Sequence, residues 1–99
     1  MWLGLARSLI IYNNPLRTRP LRHFYRGLLK QGDLVFDIGS HVGTRARAMR
    51  AAGARVIALE PQEPFASYLR RSLPNDVLLI EAAAGRAEAM ADMAVSTLH

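Results

Sequence analysis

Three short apolar runs alternate with helix-like segments, and this alternation limits the fold more than any other feature of the sequence. The runs are Leu34–Ile38, Arg55–Leu59 and Val77–Ile80. Each is nearly continuous in apolar residues, as is typical of strands that are buried on both faces of a parallel sheet. Helical segments between such strands impose parallel pairing through right-handed crossovers. The sequence therefore predicts an α/β fold, a Rossmann-like doubly wound parallel sheet.

Two helices are predicted before the first strand, because apolar residues recur there at helical spacing. The first stripe is formed by Trp2, Leu5, Ala6, Leu9 and Ile10, and the second by Leu21, Phe24, Tyr25, Leu28 and Leu29. We expect Asn13-Asn14-Pro15 to stop the first helix, Thr18 to cap the second, and Pro20 to occupy the first turn of the second. The second helix is expected to end near Gly32.

Two further helices are predicted between the strands. Thr44–Ala52 is rich in Ala and Arg and is followed by Gly53, which favours a helix C-terminus. Pro64 opens the other helix, and Pro74-Asn75-Asp76 predicts a turn. Residues 87–96 combine helix formers with strand-like alternation, and we favour an added strand there. The chain is thus divided into a helical segment over residues 1–32 and a partial α/β domain over residues 33–99.

Basic residues are concentrated at the start of the chain. There are 13 Lys and Arg residues against 8 Asp and Glu residues. The basic residues that precede the first acid, Asp33, are Arg7, Arg17, Arg19, Arg22, Arg26 and Lys30. A basic arm of this kind can meet nucleic acid, an anionic membrane or a mitochondrial import receptor. The helical spacing favours the simpler interpretation, in which these side chains form solvated faces of amphipathic helices, and we expect no nucleic-acid partner.

Two other features bear on location. The chain has no cysteine, which excludes disulfides and thiolate metal sites and fits a reducing compartment. The apolar run Met1–Tyr12 is interrupted by Arg7 and is shorter than the roughly 20 residues that a membrane span needs. It also lacks the charged start and the small-residue cleavage site of a signal peptide. The default expectation is a cytoplasmic chain without a transmembrane segment.

The turn after the first strand, within VFDIGSHVGT, is the first candidate binding site. In an open parallel sheet, ligands bind at the carboxyl ends of the strands, where glycine permits sharp turns and the next helix offers unpaired N–H groups. The glycines here are Gly39 and Gly43. The stretch does not match the dinucleotide-binding motif G-x-G-x-x-G, because His41 occupies the position of its second glycine. It does not match a P-loop either, because no Gly-Lys-Ser/Thr follows. The distinguishing residue is then Asp37.

An aspartate at the end of a buried strand is costly unless it has a partner. S-adenosylmethionine (SAM) would supply one, because it carries a sulfonium and an ammonium group, whereas a pyrophosphate would be repelled. Glu60 directly follows the second strand, where an acid can accept hydrogen bonds from both hydroxyls of an adenosine ribose. Judged alone, Asp37 can also be a helix-capping or structural carboxylate, and Glu60 a simple strand-end charge. Their occurrence together favours a SAM site.

Three stretches resemble a known family. VFDIGSHVGT, followed by ARVIALEPQ and VLLIEAAAG, resembles the class I SAM-dependent methyltransferases, and most closely the FkbM-like branch. That branch has Asp-x-Gly-Ala-x-x-Gly, then a Glu-Pro pair, then Ala-x-Gly after the third strand. The matching residues here are Asp37, Gly39, Gly43, Glu60, Pro61, Ala83 and Gly85. Ser40 replaces the usual alanine, and we expect this small-for-small change to be tolerated.

The resemblance implies that SAM is the cofactor and that this chain is the N-terminal part of such an enzyme. Asp37 and the turn Gly39 to Gly43, including Ser40 and His41, would hold the methionyl part. The acceptor is predicted to be a small-molecule or sugar hydroxyl. No catalytic residue and no metal is assigned, because His41 is interpreted as a loop residue that shapes the pocket rather than as a general base.

The remaining contacts to the cofactor are also implied by the resemblance. Glu60, followed by Pro61, would hold the ribose. Ala82 and Ala83 would lie at the adenine edge.

The resemblance also raises a question of length, since such enzymes have a larger sheet than the strands recognised here. We therefore expect an incomplete reading or a natural truncation, which binds SAM weakly, transfers no methyl group and self-associates through the exposed edge of Leu34–Ile38. Two alternatives stand beside this hypothesis. An NAD-linked oxidoreductase is disfavoured by His41 and Asp37. A degenerate SAM- or nucleotide-binding module, acting through its basic N-terminal helices, remains open.

Overall fold

The computed structural model describes residues 4–7, 9, 14–82 and 92. Residues 4–7 and residue 9 are helical, as predicted for the first helix. The elements that follow are helix α1 (Pro15–Leu28), strand β1 (Leu34–Ile38), helix α2 (Thr44–Ala51), strand β2 (Arg55–Leu59), helix α3 (Phe65–Ser72) and strand β3 (Leu78–Ile80). The strands form one parallel sheet in the order β1-β2-β3. The α/β prediction is confirmed.

The strand register explains where the site lies. Ile38 pairs with Leu59, and Leu59 pairs with Ile80, so the last residues of all three strands lie side by side. Parallel strands point their carboxyl ends to the same edge of a sheet. The residues that follow them are therefore brought to one edge.

The core lies mainly between the sheet and the helices. Its buried members on this face are Ala46, Met49, Ala54, Val56, Ala58 and Val77. Tyr25 and Leu29, at the end of α1 and just beyond it, pack against this cluster, so the N-terminal helix shares the core of the α/β part. The division of the chain at residue 32 stays a prediction.

The other face of the sheet carries a smaller cluster of Ile57, Leu59 and Ile80. Because β2 has a neighbour on each side, its apolar residues are buried on both faces, as predicted. The same prediction is wrong for β1: the side chains of Phe36 and Ile38 are 42% and 66% exposed. The physical reason is that β1 lies at the edge of the described sheet, so that side chains of a neighbouring strand flank its own on one side only.

The predicted start of α1 is also wrong. The helix begins at Pro15, and the cap is Asn14, whose Oδ1 accepts a hydrogen bond from the backbone N–H of Leu16 at 3.0 Å. Asn followed by Pro is itself a favourable N-cap and first-turn pair, so the helix nucleates before Thr18. Pro20 consequently lies inside the helix. The helix ends at Leu28, four residues before Gly32.

The predicted apolar stripe of α1 is only partly buried. Leu21 and Tyr25 are half-buried, whereas Phe24 is 58% and Leu28 is 61% exposed. The helix therefore presents apolar side chains to solvent as well as to the core.

The remaining boundaries agree with the sequence within a residue or so. Gly53 has a φ of 97° just past α2, and Val77 donates its N–H to the carbonyl of Pro74 at the predicted turn. The strand favoured over residues 87–96 lies outside the described residues, except for Asp92, which is helical. Within the described part of the chain, no helix is both long and apolar enough to cross a lipid bilayer.

Candidate functional site

The turn after β1 is tied directly to the end of β2. The backbone N–H groups of Gly39 and Ser40 both donate to the carbonyl of Leu59, at 2.9 and 3.1 Å. The Ser40 hydroxyl in turn donates to the carbonyl of Asp37 at 3.0 Å. These bonds hold the two predicted acids, Asp37 and Glu60, at the same edge of the sheet.

The turn depends on left-handed backbone at three residues. Gly39, His41 and Gly43 have φ values of 70°, 54° and 83°. A histidine in this region is uncommon and strained, and the surroundings must over-determine its conformation. The restraint on His41 is a hydrogen bond from its backbone N–H to Oε1 of Glu60, at 2.7 Å. The turn is therefore preorganised by the acid that ends the neighbouring strand.

The two glycines have different surroundings. A Cβ atom at Gly43 would lie 2.6 Å from Nη1 of Arg47 and 3.0 Å from Cδ2 of Leu69. A Cβ atom at Gly39 would find its nearest atom, Cδ2 of His41, only at 4.0 Å. Gly43 therefore lies in a crowded position where neighbouring side chains would have to shift, whereas Gly39 leaves open space above the backbone.

Asp37 is a buried carboxylate with one satisfied oxygen. The residue is 3% exposed, and its Oδ1 lies 3.0 Å from Nε of Arg45. Its Oδ2 is buried and has no hydrogen-bond partner among the described residues. Because an unpaired buried polar atom is costly, this oxygen is the strongest indication of an absent partner.

Arg45 was not predicted from the sequence. Besides the ion pair with Asp37, its Nη2 donates to the carbonyls of Ile38 and Gly39, at 3.1 and 3.0 Å. It lies in the first turn of α2, where its spacing from Asp37 carries no recognisable motif. Arg45 is therefore a cationic partner of Asp37 within the chain, whereas the sequence indicated such a partner only in a ligand.

Glu60 is 2% exposed and has a structural role that the sequence did not indicate. Its Oε2 accepts a hydrogen bond from the N–H of Gln62 at 3.0 Å, in addition to the bond from His41. A carboxylate oxygen has two acceptor sites, so each oxygen can accept one bond more. Glu60 thus joins the loops after β1 and β2 and keeps acceptor capacity for a ligand.

A cavity of about 450 Å³ lies between α1 and the turn. The predicted residues Gly39, Ser40 and His41 line it. Its walls also include Leu16, Arg17, Pro20, Leu21, Val42 and Arg45. Asp37 and Glu60 do not line it, so the acids and the cavity are neighbouring parts of one edge.

Other predicted residues lie around this edge. The His41 ring packs on the ring of Phe65, with centroids 5.0 Å apart. Pro61 is exposed, and Ala82 packs against the cluster of Ile57, Leu59 and Ile80. Ala83 lies outside the described residues.

Glu81, at the tip of β3, is engaged by a side chain of α3. Nε of Arg70 donates to its Oε2 at 2.9 Å. This hydrogen bond lowers the pKa of Glu81 and raises that of Arg70. Within the described ranges, no three His, Cys, Asp or Glu side chains cluster as metal ligands would.

The sequence matches no protein-family model and no curated protein. The fold matches a solved structure, the C-terminal domain of precorrin-6Y C5,15-methyltransferase from Rhodobacter capsulatus, with a TM-score of 0.58 and 25% sequence identity. The match covers 71% of this chain and 42% of that one, so the chain corresponds to less than half of the domain it resembles. The fold is a Rossmann-like α/β fold that matches part of a methyltransferase domain, and the FkbM-like branch stays a prediction.

Proposed function

We propose that this chain is the cofactor-binding part of a SAM-dependent methyltransferase. The observation that carries the proposal is the buried Oδ2 of Asp37, which has no described partner and lies beside the Gly39 turn. The similarity to a methyltransferase domain supports the same reaction class. The FkbM-like branch and a hydroxyl acceptor on a small molecule or sugar are the finer parts of the proposal.

The residues present fit SAM in charge, and the turn at Gly39 offers it space. An unpaired carboxylate oxygen favours a cationic group, and SAM offers a sulfonium and an ammonium. The open space above Gly39 allows a ligand to approach the backbone closely. The remaining acceptor capacity of Glu60 suits ribose hydroxyls. Asp37, the Gly39 turn and Glu60 would therefore hold the cofactor.

The chemistry that SAM supplies when bound is a methyl group on a positively charged sulfur. The task left to the protein in such a transfer is to position the acceptor and exclude water. The described residues contribute to binding and orientation. Asp37 would balance the positive charge, and Glu60 holds the loops after β1 and β2 through its bonds from His41 and Gln62. The exposed His41 ring is assigned to shaping the turn.

The experiment is calorimetric titration of the chain with SAM, its demethylated product and NAD. We expect the first two to bind and NAD not to bind. Asp37→Asn should weaken SAM binding by about tenfold or more, because it removes a charge-assisted contact. Asp76→Asn, an exposed acid away from the turn, is the matched control and should leave binding unchanged. Tighter binding of NAD than of SAM, or unchanged SAM binding by Asp37→Asn, would refute the proposal.

A further inference from the structure

Helix α1 exposes a row of apolar side chains, of which Leu16 and Pro20 also border the cavity beside the Gly39 turn. Leu16, Phe24 and Leu28 are 83%, 58% and 61% exposed, and Pro20 is exposed between them. Residues four apart lie on one side of a helix, so these four form a continuous stripe. We call Leu16, Pro20, Phe24 and Leu28 the apolar stripe. Exposed single apolar residues are ordinary, but a contiguous row of large ones indicates an interaction surface.

On another side, the same helix carries exposed positive charge. Arg19, Arg22 and Arg26 form a basic row, and Lys30 follows the helix. No acid precedes Asp33 in the sequence, so nothing on α1 neutralises this row. The helix that packs beside it, α2, has the sequence TRARAMRA and adds no acid. The exposed surface of α1 therefore combines the apolar stripe with a basic row on another side of the helix.

We propose that α1 docks on the surface of an anionic lipid bilayer, with the apolar stripe entering the acyl boundary and the basic row near the headgroups. Amphipathic helices with Lys or Arg beside Phe and Leu bind in this manner, because apolar burial and attraction to anionic lipid add together. Long arginine side chains can reach the headgroups while their stems stay on the apolar side.

The composition of the stripe favours lipid over nucleic acid. A nucleic-acid surface would engage the arginines through phosphates and would stack bases on aromatic rings. Only Phe24 in the stripe is aromatic, and the leucines and proline gain nothing from bases. An acyl boundary instead buries all of them. This docking does not depend on the proposed cofactor, since Asp37 and Glu60 lie outside α1.

The test is vesicle co-sedimentation of the full chain. Vesicles of phosphatidylcholine with phosphatidylserine should bind it, and binding should weaken as salt rises; pure phosphatidylcholine should bind it poorly. Arg19→Gln with Arg26→Gln should lower partitioning by about 30-fold, at about 1 kcal/mol per residue. The matched control removes the same charge elsewhere, with Arg55→Gln and Arg71→Gln, both exposed. An equal loss of partitioning in the control variant would show that net charge alone controls binding, and would overturn the proposal.

A second measurement separates insertion from surface attraction. Since the chain has no cysteine, Leu28→Cys and Arg71→Cys each allow one environment-sensitive dye to be attached. The dye at position 28 should brighten on anionic vesicles and the dye at position 71 should not. Phe24→Ser with Leu28→Ser should lower partitioning by about tenfold. Unchanged partitioning in this serine variant, or RNA binding that competes fully with vesicles and ignores the serine changes, would contradict membrane docking.

Discussion

Nε of Arg45 lies 3.0 Å from Oδ1 of Asp37, so the acid that ends β1 takes a counter-ion from the first turn of the next helix. Asp37 is 3% and Arg45 is 49% exposed, so water screens only one side of the pair. Because the carboxylate loses its partner, Arg45→Gln should lower the free energy of unfolding by about 1–2 kcal/mol. This loss is smaller than for a fully buried pair, since Arg45 is half exposed.

A double-mutant cycle in urea measures this coupling. Asp37→Asn combined with Arg45→Gln should be more stable than the sum of the single losses predicts, because no buried charge is left unpaired. Purely additive losses would show that the pair contributes nothing to stability.

Glu60→Gln tests whether the acid after β2 holds the turn. The carboxylate accepts backbone hydrogen bonds at both oxygens, whereas an amide has one oxygen and turns an NH₂ group toward the other donor. Since the carboxylate is buried, we expect Glu60→Gln to lower the free energy of unfolding, measured by urea denaturation, by about 1–3 kcal/mol. Glu63→Gln, at an exposed neighbouring position, should cost about 0.5 kcal/mol or less. Equal losses in the two variants would contradict the structural role of Glu60.

Much of the fold was readable in the sequence because its signals are local. The bounds of β1 and β2 follow from apolar runs, and the meeting of Asp37 and Glu60 follows from parallel pairing alone. The start of α1 was misplaced because two sets of cap residues compete, at Asn14-Pro15 and at Thr18, and local sequence does not rank them.

The missed parts of the site are contacts between distant residues. The Arg45 to Asp37 pair and the bond from His41 to Glu60 depend on side-chain directions in the folded chain. No periodicity or motif spacing encodes them. The same holds for the exposure of Phe36 and Phe24, which depends on what lies opposite each residue.

Two surface ion pairs, Arg70 with Glu81 and Arg50 with Asp76, predict an acid-dependent loss of stability. Hydrogen bonds from Arg70 and Arg50 are the largest causes that lower the pKa values of Glu81 and Asp76, respectively. A carboxyl group with a lower pKa in the folded chain adds stability above its unfolded pKa, and this is lost as the pH falls through its folded pKa. The free energy of unfolding should therefore decrease as the pH is lowered below about 4.

Both pairs are exposed, so their contribution should be small and should shrink with added salt. Urea denaturation at neutral and acid pH is the measurement. The variant Asp76→Asn with Glu81→Gln should lose less stability between the two pH values than the unmodified chain. An identical pH dependence in the variant and the unmodified chain would show that these ion pairs do not contribute to stability.

Gly39→Ala and Gly43→Ala should separate ligand binding from folding. Both residues have left-handed φ values, so alanine costs about 1 kcal/mol or more at each. At Gly43 the methyl group also collides with Arg47 and Leu69, which should add about 1–3 kcal/mol. At Gly39 it enters open space where we propose that SAM approaches. We therefore expect Gly43→Ala to be the less stable variant in urea, and Gly39→Ala to lose more SAM affinity in calorimetry. The opposite order in either measurement would overturn the assignment of Gly43 to packing and Gly39 to the ligand.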